Sequence, residues 1–434
     1  MGSPLDLDAA LKVVGSMGKV RYGILGASED DVVFDADDLS ITQDGSDYGV
    51  ARFLYETKSE AGVYQGVGFI STLSEHPEED AYVQGLDYHF LSSQGKWKAD
   101  GQVFYSDTDD DGAGLGGFAD VTYRPSRRIQ VNVSASHYDD QLDLNDLGFL
   151  RRNDVTNFWM QAEYRRYDFD WARKIYLNSF LSYEVNGDGE KTNKEIGGRT
   201  GIDFNNRHEL RWDVAYKPER IDDRDSRGNG SYIKKQHHRT SFEYRTDSSR
   251  RIYNRIRMNY SKESQGGERY VFRNSVSWRP VDQLGVGLSA QYEDSNAWVL
   301  WQEGGRFTSF DTNEWRPNLN FSYFLSAKQQ LRLSAQWVGI KARERRFYEL
   351  ESRSKRLVEG EKSGSVPDDF AISSLALQFR YQWEIAPLSE LFLVYTLNGY
   401  QSVAESSFGE LLDSAYQNPS NEDIVLKLRY RLGT

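Results

Sequence analysis

The C-terminal segment shows the pattern that the rest of the chain repeats. From Ile424 to Leu432 the residues alternate between two faces of a strand, and Leu426 and Leu428 lie on the apolar face. Lys427 and Arg429 fall on the opposite face. In a soluble sheet the apolar face turns towards a core. In an outer-membrane barrel it turns towards lipid, and the polar face lines a lumen.

The same alternation recurs along the whole chain in segments of about ten residues, joined in turn by short turns and by longer loops. Short turns of bacterial barrels are periplasmic and long loops are extracellular. Long loops are predicted at residues 29–46, 218–235, 296–313, 343–369 and 403–422. The predicted strands are residues 5–13, 20–24, 48–57, 63–73, 82–91, 97–105, 117–124, 129–138, 155–167, 171–185, 195–204, 209–217, 236–245, 251–260, 270–279, 284–293, 314–325, 331–341, 371–384, 390–401 and 424–432.

Composition excludes membrane helices, because no stretch approaches the roughly eighteen consecutive apolar residues that a span requires. The 434 residues include 27 Tyr and 22 Phe, and the mean hydropathy is −0.70. No linker, low-complexity tract or sustained helical periodicity interrupts the alternation. We therefore predict an all-β fold: one transmembrane antiparallel β-barrel of about 20 to 22 strands, spanning residues 5–432, in a bacterial outer membrane. The absence of Cys agrees with an oxidising periplasm but is also common in cytosolic proteins.

The parity of the strands leads to a second expectation. Residues 1–4 resemble a cloning scar or a truncated start, and no signal peptide follows them. The count of about twenty-one strands is odd, whereas single-chain bacterial barrels have an even number with both ends in the periplasm. Either a strand is miscounted or an N-terminal strand precedes this sequence, and the scar favours the second.

A short run in the first half of the chain resembles a known family. Residues 145–154 read Asn-Asp-Leu-Gly-Phe-Leu-Arg-Arg-Asn-Asp. The positions that carry the resemblance are Leu147, Gly148, Phe149, Arg152 and Asp154. The run resembles bacterial outer-membrane proteins that join an N-terminal domain, similar to family-9 carbohydrate-binding modules, to a C-terminal β-barrel. The resemblance covers most of this chain and implies the barrel part, and it implies an N-terminal domain and a first barrel strand that this sequence does not include.

Charged residues on the polar faces of the strands are the main candidates for function. A Lys or Arg facing lipid costs about 2–4 kcal/mol at the bilayer midplane, so these side chains are assigned to the lumen. The lumen-lining candidates are Arg239, Glu243, Arg245, Arg251, Arg255, Arg257, Arg273, Arg380, Lys427, Arg429 and Arg431. A cationic wall favours anionic solutes. The alternative is that these are ordinary lumen residues, paired with Asp213, Glu243 and Glu384 or with a plug.

One acidic loop resembles the first half of a calcium loop. Asp107, Asp109 and Asp111 supply oxygens at positions 1, 3 and 5, and Gly112 allows the tight turn at position 6. Phe118 stands where the bidentate Glu of position 12 is required. Calcium in an extracellular loop is therefore the one cofactor that the sequence suggests, with a plain solvated loop as the alternative.

No catalytic residues are predicted, because the six His show no ligand spacing and no nucleophile-elbow or phosphate-binding glycine motif exists. The leading hypothesis is a porin-like channel or transport conduit, not an enzyme, with a polar, partly cationic lumen. One alternative is a closed barrel that anchors a periplasmic binding domain or partner, and another is a barrel-embedded hydrolase. The expected partners are outer-membrane lipid and lipopolysaccharide and a periplasmic domain or protein acting as a plug. No nucleic acid is expected.

The assignment of faces predicts opposite effects for two neighbouring residues. A charge at Leu428 (Leu428→Arg) would face lipid and should block assembly, whereas Arg429→Gln removes a lumen charge and should assemble normally. Heat-modifiable migration of the protein extracted from outer membranes measures assembly. Equal tolerance of both substitutions would reverse the assignment of the two faces.

Overall fold

The structure, a computed structural model, describes residues 7–36, 39–77, 79–362, 368–404 and 406–431. The predicted scar at residues 1–4, and Leu5 and Leu432 at the ends of two predicted strands, lie outside the described residues. Among the described residues, none of the helices has the length and apolar character needed to cross a membrane. The chain divides into two compact units: unit 1 comprises Met1–Arg165 and Asn178–Ile196, and unit 2 comprises Arg166–Leu177 and Gly197–Thr434.

Unit 1 is an antiparallel sheet in which β1 pairs with β2, β2 with β5, and each later strand with the next through β10 and β11. The short strands β3 and β4 form a separate hairpin. The strands are β1 (Leu7–Met17), β2 (Val20–Glu29), β3 (Val32–Ala36), β4 (Leu39–Gln43), β5 (Asp47–Lys58), β6 (Tyr64–Glu75), β7 (Asp80–Leu91), β8 (Trp97–Thr108), β9 (Gly112–Ser126) and β10 (Ile129–Tyr138). Three further strands contribute residues to both units: β11 (Val155–Tyr167), β12 (Ala172–Val185) and β13 (Lys191–Phe204).

In unit 2 each strand from β14 to β26 pairs antiparallel with the next, apart from β15, β16 and β23. The strands β15 and β16 pair with each other, and β23 pairs antiparallel with the end of β22, so β14 pairs with β17 and β22 with β24. Its strands are β14 (Glu209–Lys217), β15 (Arg220–Asp222), β16 (Tyr232–Lys234), β17 (His237–Arg245), β18 (Ile252–Lys262), β19 (Glu268–Val281), β20 (Leu284–Glu303), β21 (Arg306–Ser326), β22 (Gln329–Glu351), β23 (Arg356–Glu359), β24 (Phe370–Ala386), β25 (Ser389–Val403) and β26 (Pro419–Arg429). The single helix of the described residues, α1 (Phe408–Gln417), lies between β25 and β26.

The two faces of the strands differ in a way that is opposite to a soluble sheet. Large apolar side chains are exposed on one face, with Leu86 55% exposed and its cross-strand neighbour Val103 60% exposed in unit 1. Leu288 in unit 2 is 53% exposed. The other face carries buried polar side chains, including Asp87 and Glu243. The buried face of the strands is therefore the polar one, and the exposed face is the apolar one.

The predicted strands are confirmed as strands within the described residues, and the all-β antiparallel class is confirmed with them. The predicted loop at 296–313 is wrong, because β20 and β21 continue through it and turn only at Gly304 and Gly305. Cross-strand pairs such as Trp298 opposite Phe310 make this extension. Aromatic pairs of this kind stabilise antiparallel strands, which favours the continuation of both strands through this segment.

The predicted loops at 343–369 and 403–422 are also wrong in part. The strand β22 continues to Glu351 and pairs with β23. The second segment contains α1, which Ser407 and Glu410 cap reciprocally: the Glu410 N–H donates to the Ser407 hydroxyl over 3.3 Å, and the Ser407 N–H donates to the Glu410 carboxylate over 2.8 Å. The bond that the Glu410 carboxylate accepts from the Ser407 N–H is the main cause that holds the pKa of Glu410 below its usual range. A capping box stabilises a short helix that has little periodicity of its own.

The helix packs on the face of β22, β24 and β25 that carries Trp337, Leu375 and Leu397. Leu411 and Ala415 are its buried residues. The indole N–H of Trp337 donates to the Ser373 hydroxyl over 2.8 Å, and that hydroxyl donates to the Leu411 carbonyl over 2.7 Å. These two bonds satisfy the polar groups that the contact buries.

Gly399 makes the close approach of the helix possible, because a Cβ there would overlap the Ala415 carbonyl oxygen. Gly399→Ala should displace α1 and lower the free energy of unfolding by about 1–3 kcal/mol. Gly409→Ala is the matched control, since nothing lies near its Cβ position, and it should stabilise the helix by roughly 0.5–1 kcal/mol. Hydrogen exchange of the backbone amides of residues 408–417 measures the effect of each substitution on the helix. Unchanged protection in Gly399→Ala would contradict the packing.

Candidate functional site

The polar face of unit 2 carries a row of charged residues that lie directly opposite one another on neighbouring strands. The row crosses six strands from β14 to β21. Its members, in order, are Arg211, Glu243, Arg257, Arg273, Gln291 and Arg316. Side chains along a strand alternate between the two faces with a period of two. These six residues lie in line because the register of the six strands is maintained from one strand to the next. We call it the arginine row.

Glu243 is the carboxylate of the arginine row. Its side chain is only 4% exposed, and Arg255 Nη2 lies 2.6 Å from its Oε2. Arg245 Nε lies 2.6 Å from Oε1, and Arg257 Nη1 is 3.9 Å from Oε2. One buried carboxylate therefore balances three guanidinium groups that are each partly exposed. Such a carboxylate holds the arginines in place, because without it like charges would face one another across the strands.

Arg273 has a neutral partner: its Nε donates to Gln291 Oε1 over 2.9 Å. It lies opposite Arg257, so two cations are neighbours in the row. Four residues earlier on β19, Arg269 pairs with Glu293 at 2.9 Å, and on β21 Arg316 pairs with Glu314 at 2.9 Å. Of the acidic partners suggested by the sequence, Glu243 pairs with Arg245, Arg255 and Arg257, whereas Asp213 pairs with Arg199, which was not a candidate. Arg273 is bonded to an amide.

The other lumen candidates lie apart from the arginine row. Arg239 lies on β17 opposite Ser261, and Arg380 lies on β24 opposite Arg332. Arg251 was predicted to lie in a strand, but it lies in the turn before β18, which the Arg250 N–H closes by donating to the Asp247 carbonyl over 3.2 Å. Lys427 and Arg429 lie on β26 opposite Phe392 and Glu390. Arg431 follows that strand, and its N–H donates to the Ser389 hydroxyl over 3.0 Å.

Unit 1 has a second polar cluster, which the sequence analysis missed. The side chain of Asp87 is 5% exposed. Its carboxylate accepts a hydrogen bond from Arg52 Nη2 over 2.8 Å and lies 2.8 Å from His89 Nε2. The other ring nitrogen of His89 bonds Asp100 at 2.8 Å. Both imidazole nitrogens are thus occupied by carboxylates, so the ring is placed as a bridge and not as a base for a hydroxyl nucleophile. Asp87 and His89, two residues apart on one strand, were the available signal.

The segment 139–154 lies on the polar face of β8 and β9. Leu142 is 1% exposed, and a Cβ at Gly114 or Gly116 would overlap it. The Asp143 N–H donates to the Ser106 hydroxyl over 3.1 Å. The segment that carries the recognised run thus packs against the sheet and is not a solvated loop.

Two residues of the run hold this segment to a neighbouring turn. Asp154 Oδ1 accepts the Gly187 N–H over 2.7 Å, and Arg152 lies 3.7 Å from Glu184. Phe149, by contrast, is 83% exposed. Arg152 and Asp154, which carry the family resemblance, therefore make contacts that hold the chain in place.

Each calcium candidate has a different hydrogen-bond partner in the structure. Asp107 accepts from the Tyr105 hydroxyl, Asp109 accepts the Asp80 N–H over 3.2 Å, and the Asp111 N–H donates to Thr108 over 3.1 Å. Within the described part of the chain, His, Cys, Asp and Glu side chains form no group of three or more suited to a metal ion.

Acidic side chains nevertheless crowd this end of unit 1. Partial burial, together with the nearby carboxylates of Asp110 and Asp146, raises the pKa of Glu79. Protonation at low pH lowers the repulsion between these carboxylates. A cluster of acidic side chains does not by itself define a cation site.

Comparison of sequences assigns the family. Residues 67–433 match the family described as a domain of unknown function, DUF5916, and the chain belongs to that family. The match agrees with the family resemblance of the 145–154 run for the sheet-forming part, while the N-terminal sugar-binding-like domain stays an expectation. None of the curated proteins is significantly similar in sequence.

Two kinds of solved structure resemble the chain at low identity. One is a mutant of the ferric enterobactin receptor PfeA from Pseudomonas aeruginosa, at 10% identity and a TM-score of 0.48, covering 89% of this chain and 71% of that one. The other is the copper transporter OprC, at 10% identity and a TM-score of 0.39, covering 94% and 75%. Likeness at this level does not define a function.

The geometry around Glu243 predicts a specific loss of stability. Glu243→Gln removes the carboxylate that pairs with Arg255 and Arg257 and leaves Arg245 with its longer pair to Glu209 at 3.4 Å. It should lower the free energy of unfolding by about 1–3 kcal/mol, a range that allows for the partial solvation of these arginines. Raised salt should recover part of the loss by screening. Urea denaturation in detergent at low and high salt measures it.

Glu303→Gln is the control, because Glu303 is 73% exposed where it pairs with Arg306, and its loss should cost at most about 0.5 kcal/mol. Equal costs for Glu243→Gln and Glu303→Gln would contradict the central position of Glu243.

Proposed function

We propose that the chain forms a transmembrane β-barrel of a bacterial outer membrane and acts as a channel or transport conduit. The observation that carries the proposal is the exposed apolar face. Leu11, Leu288 and Leu426 are 70%, 53% and 68% exposed on strands of different parts of the chain. So much apolar surface is unfavourable in water, whereas a hydrocarbon layer solvates it. Outer-membrane lipid and lipopolysaccharide are the corresponding partners.

The lumen of this conduit would be polar and partly cationic. The arginine row supplies fixed positive charge, and Arg273 contributes a cation that is bonded only to Gln291. Pores lined by Arg favour anions, because the field lowers their energy in the constricted space. We therefore propose that anionic solutes pass more readily than cations.

A closed scaffold is the second candidate function, and the 139–154 segment favours it. Leu142 packs against the polar face of β8 and β9, so this segment would occupy space inside a barrel. In that case the barrel anchors a periplasmic domain or partner, and such a partner could also act as the plug of a conduit.

Single-channel recording in a planar bilayer tests the conduit. Steady conductance steps are expected from the folded protein. Deletion of residues 141–151, which removes most of the segment on the polar face, should enlarge the steps. Silence from both proteins, with assembly verified by heat-modifiable migration, would reject the conduit and leave the scaffold.

Selectivity is tested at the two opposed cations of the arginine row. Arg257→Gln combined with Arg273→Gln removes both charges while keeping Arg255 and Arg245 on Glu243. The reversal potential in a salt gradient should shift towards cations, because fixed positive charge is lost. Arg306→Gln, at the tip of the β20–β21 hairpin, is the control and should leave the potential unchanged. An unchanged potential in the double variant would give these arginines a structural role only.

A further inference from the structure

A second cationic region on the polar face of unit 2 contains a cavity that no sequence pattern indicated. The cavity has a volume of about 460 Å³ and is bordered by β19, β20, β21, β22 and β24. Three arginines line it: Arg279, Arg332 and Arg380. Only Arg380 was among the lumen candidates.

Two neighbouring rows of the sheet form the cavity. One row consists of Ser277, Gly287, Asn320, Ser334 and Gln378, which lie opposite one another in turn. The next row consists of Gly285, Ser322, Arg332 and Arg380, with Arg279 beside it on β19. Gly285, Gly287 and Ser322, on β20 and β21, have small side chains or none, and they lie between Arg279 on β19 and the pair Arg332 and Arg380 on β22 and β24. This arrangement makes a recess with guanidinium groups at its rim.

This recess differs from the surroundings of Glu243, where a buried carboxylate pairs with three arginines. Arg332 lies directly opposite Arg380, and opposed like charges destabilise a sheet. Arg380 donates to Gln378 over 3.0 Å, which is a neutral partner. The residues that line the cavity include no Asp or Glu. The main observation is therefore that the arginines of this cavity have no carboxylate among the lining residues, whereas three arginines surround Glu243.

A bound oxyanion would supply the missing negative charge. Guanidinium groups donate two parallel hydrogen bonds to phosphate or carboxylate oxygens, and such charge-assisted bonds are about twice as strong as neutral ones. The hydroxyl group of Ser322 and the amide NH2 groups of Asn320 and Gln378 provide further donors around the recess, whereas the Ser334 hydroxyl donates to Asn320 Oδ1. A volume of about 460 Å³ accommodates a solute larger than a single ion.

We propose that this cavity is a binding site for a multiply charged oxyanion, of the kind carried by phosphorylated solutes. The site lies beside the short turns after β19, β21 and β24, at 282–283, 327–328 and 387–388. In the proposed function, which this part of the inference rests on, that is the periplasmic end of the conduit. An anion that passes the arginine row would then bind here before release.

Isothermal titration of the detergent-solubilised protein with inorganic pyrophosphate tests the site without any transport step. Saturable binding is expected, with a rise in melting temperature on addition of pyrophosphate but not of an equal ionic strength of sodium chloride. Arg332→Gln combined with Arg380→Gln should weaken binding by roughly tenfold or more, since two charge-assisted contacts are lost. The double variant should fold at least as well as the parent, because it removes an opposed pair of like charges.

Arg124→Gln is the matched control: Arg124 also lies beside a short turn and donates to a Gln side chain, but in unit 1. It should leave pyrophosphate binding unchanged. Absence of saturable binding in the parent, or equal binding by the parent and the double variant, would overturn the site whether or not the protein conducts. Binding without conduction would uphold the site and reject the conduit.

Discussion

The register of the antiparallel strands is the constraint on which the other features depend. Side chains alternate with a period of two, so a slip of one residue would move every apolar side chain of a strand to the polar face. Backbone hydrogen bonds fix this register over long ladders, such as the eleven-residue pairing from Ile252–Trp278 to Lys262–Glu268. Rows of residues across many strands follow directly, and the arginine row is one of them.

Charge is organised by the same rows, with different results at two places. In the arginine row a buried carboxylate, Glu243, lies among arginines, and Gln291 solvates Arg273. Nearer the short turns, Arg332 and Arg380 face one another beside small polar residues. The first arrangement contains a carboxylate that pairs with three arginines, and this pairing stabilises the sheet. The second leaves charge that an external anion would satisfy, and for that reason only the second is proposed as a binding site.

Additions to the sheet cover both of its faces locally. The helix α1 covers Trp337, Leu375 and Leu397 on the apolar face, and Gly399 permits the contact. The 139–154 segment covers Gly114 and Gly116 on the polar face through Leu142. Each contact depends on glycines that leave room for another element. Conduction through a barrel of this sequence would depend on the second contact, because it lies on the face that carries the polar residues.

The sequence by itself determined the strands, their apolar and polar faces and the all-β class, because the period of two is a local property that each segment carries independently. It also placed Glu243 and Arg255 on one face, from alternation alone. It did not reveal the extension of β20 and β21 through residues 296–313, nor α1, since cross-strand aromatic pairs and a capping box act between residues that periodicity does not connect.

Only the tertiary structure decided which charges meet. Arg52, Asp87 and Asp100 come from three different strands, as do Arg279, Arg332 and Arg380. Their proximity depends on strand register summed over intervening hairpins, and a shift of two residues in one hairpin preserves the alternation while changing every partner. The sequence therefore determined which face each residue occupies, and the register of the folded sheet determined its neighbours.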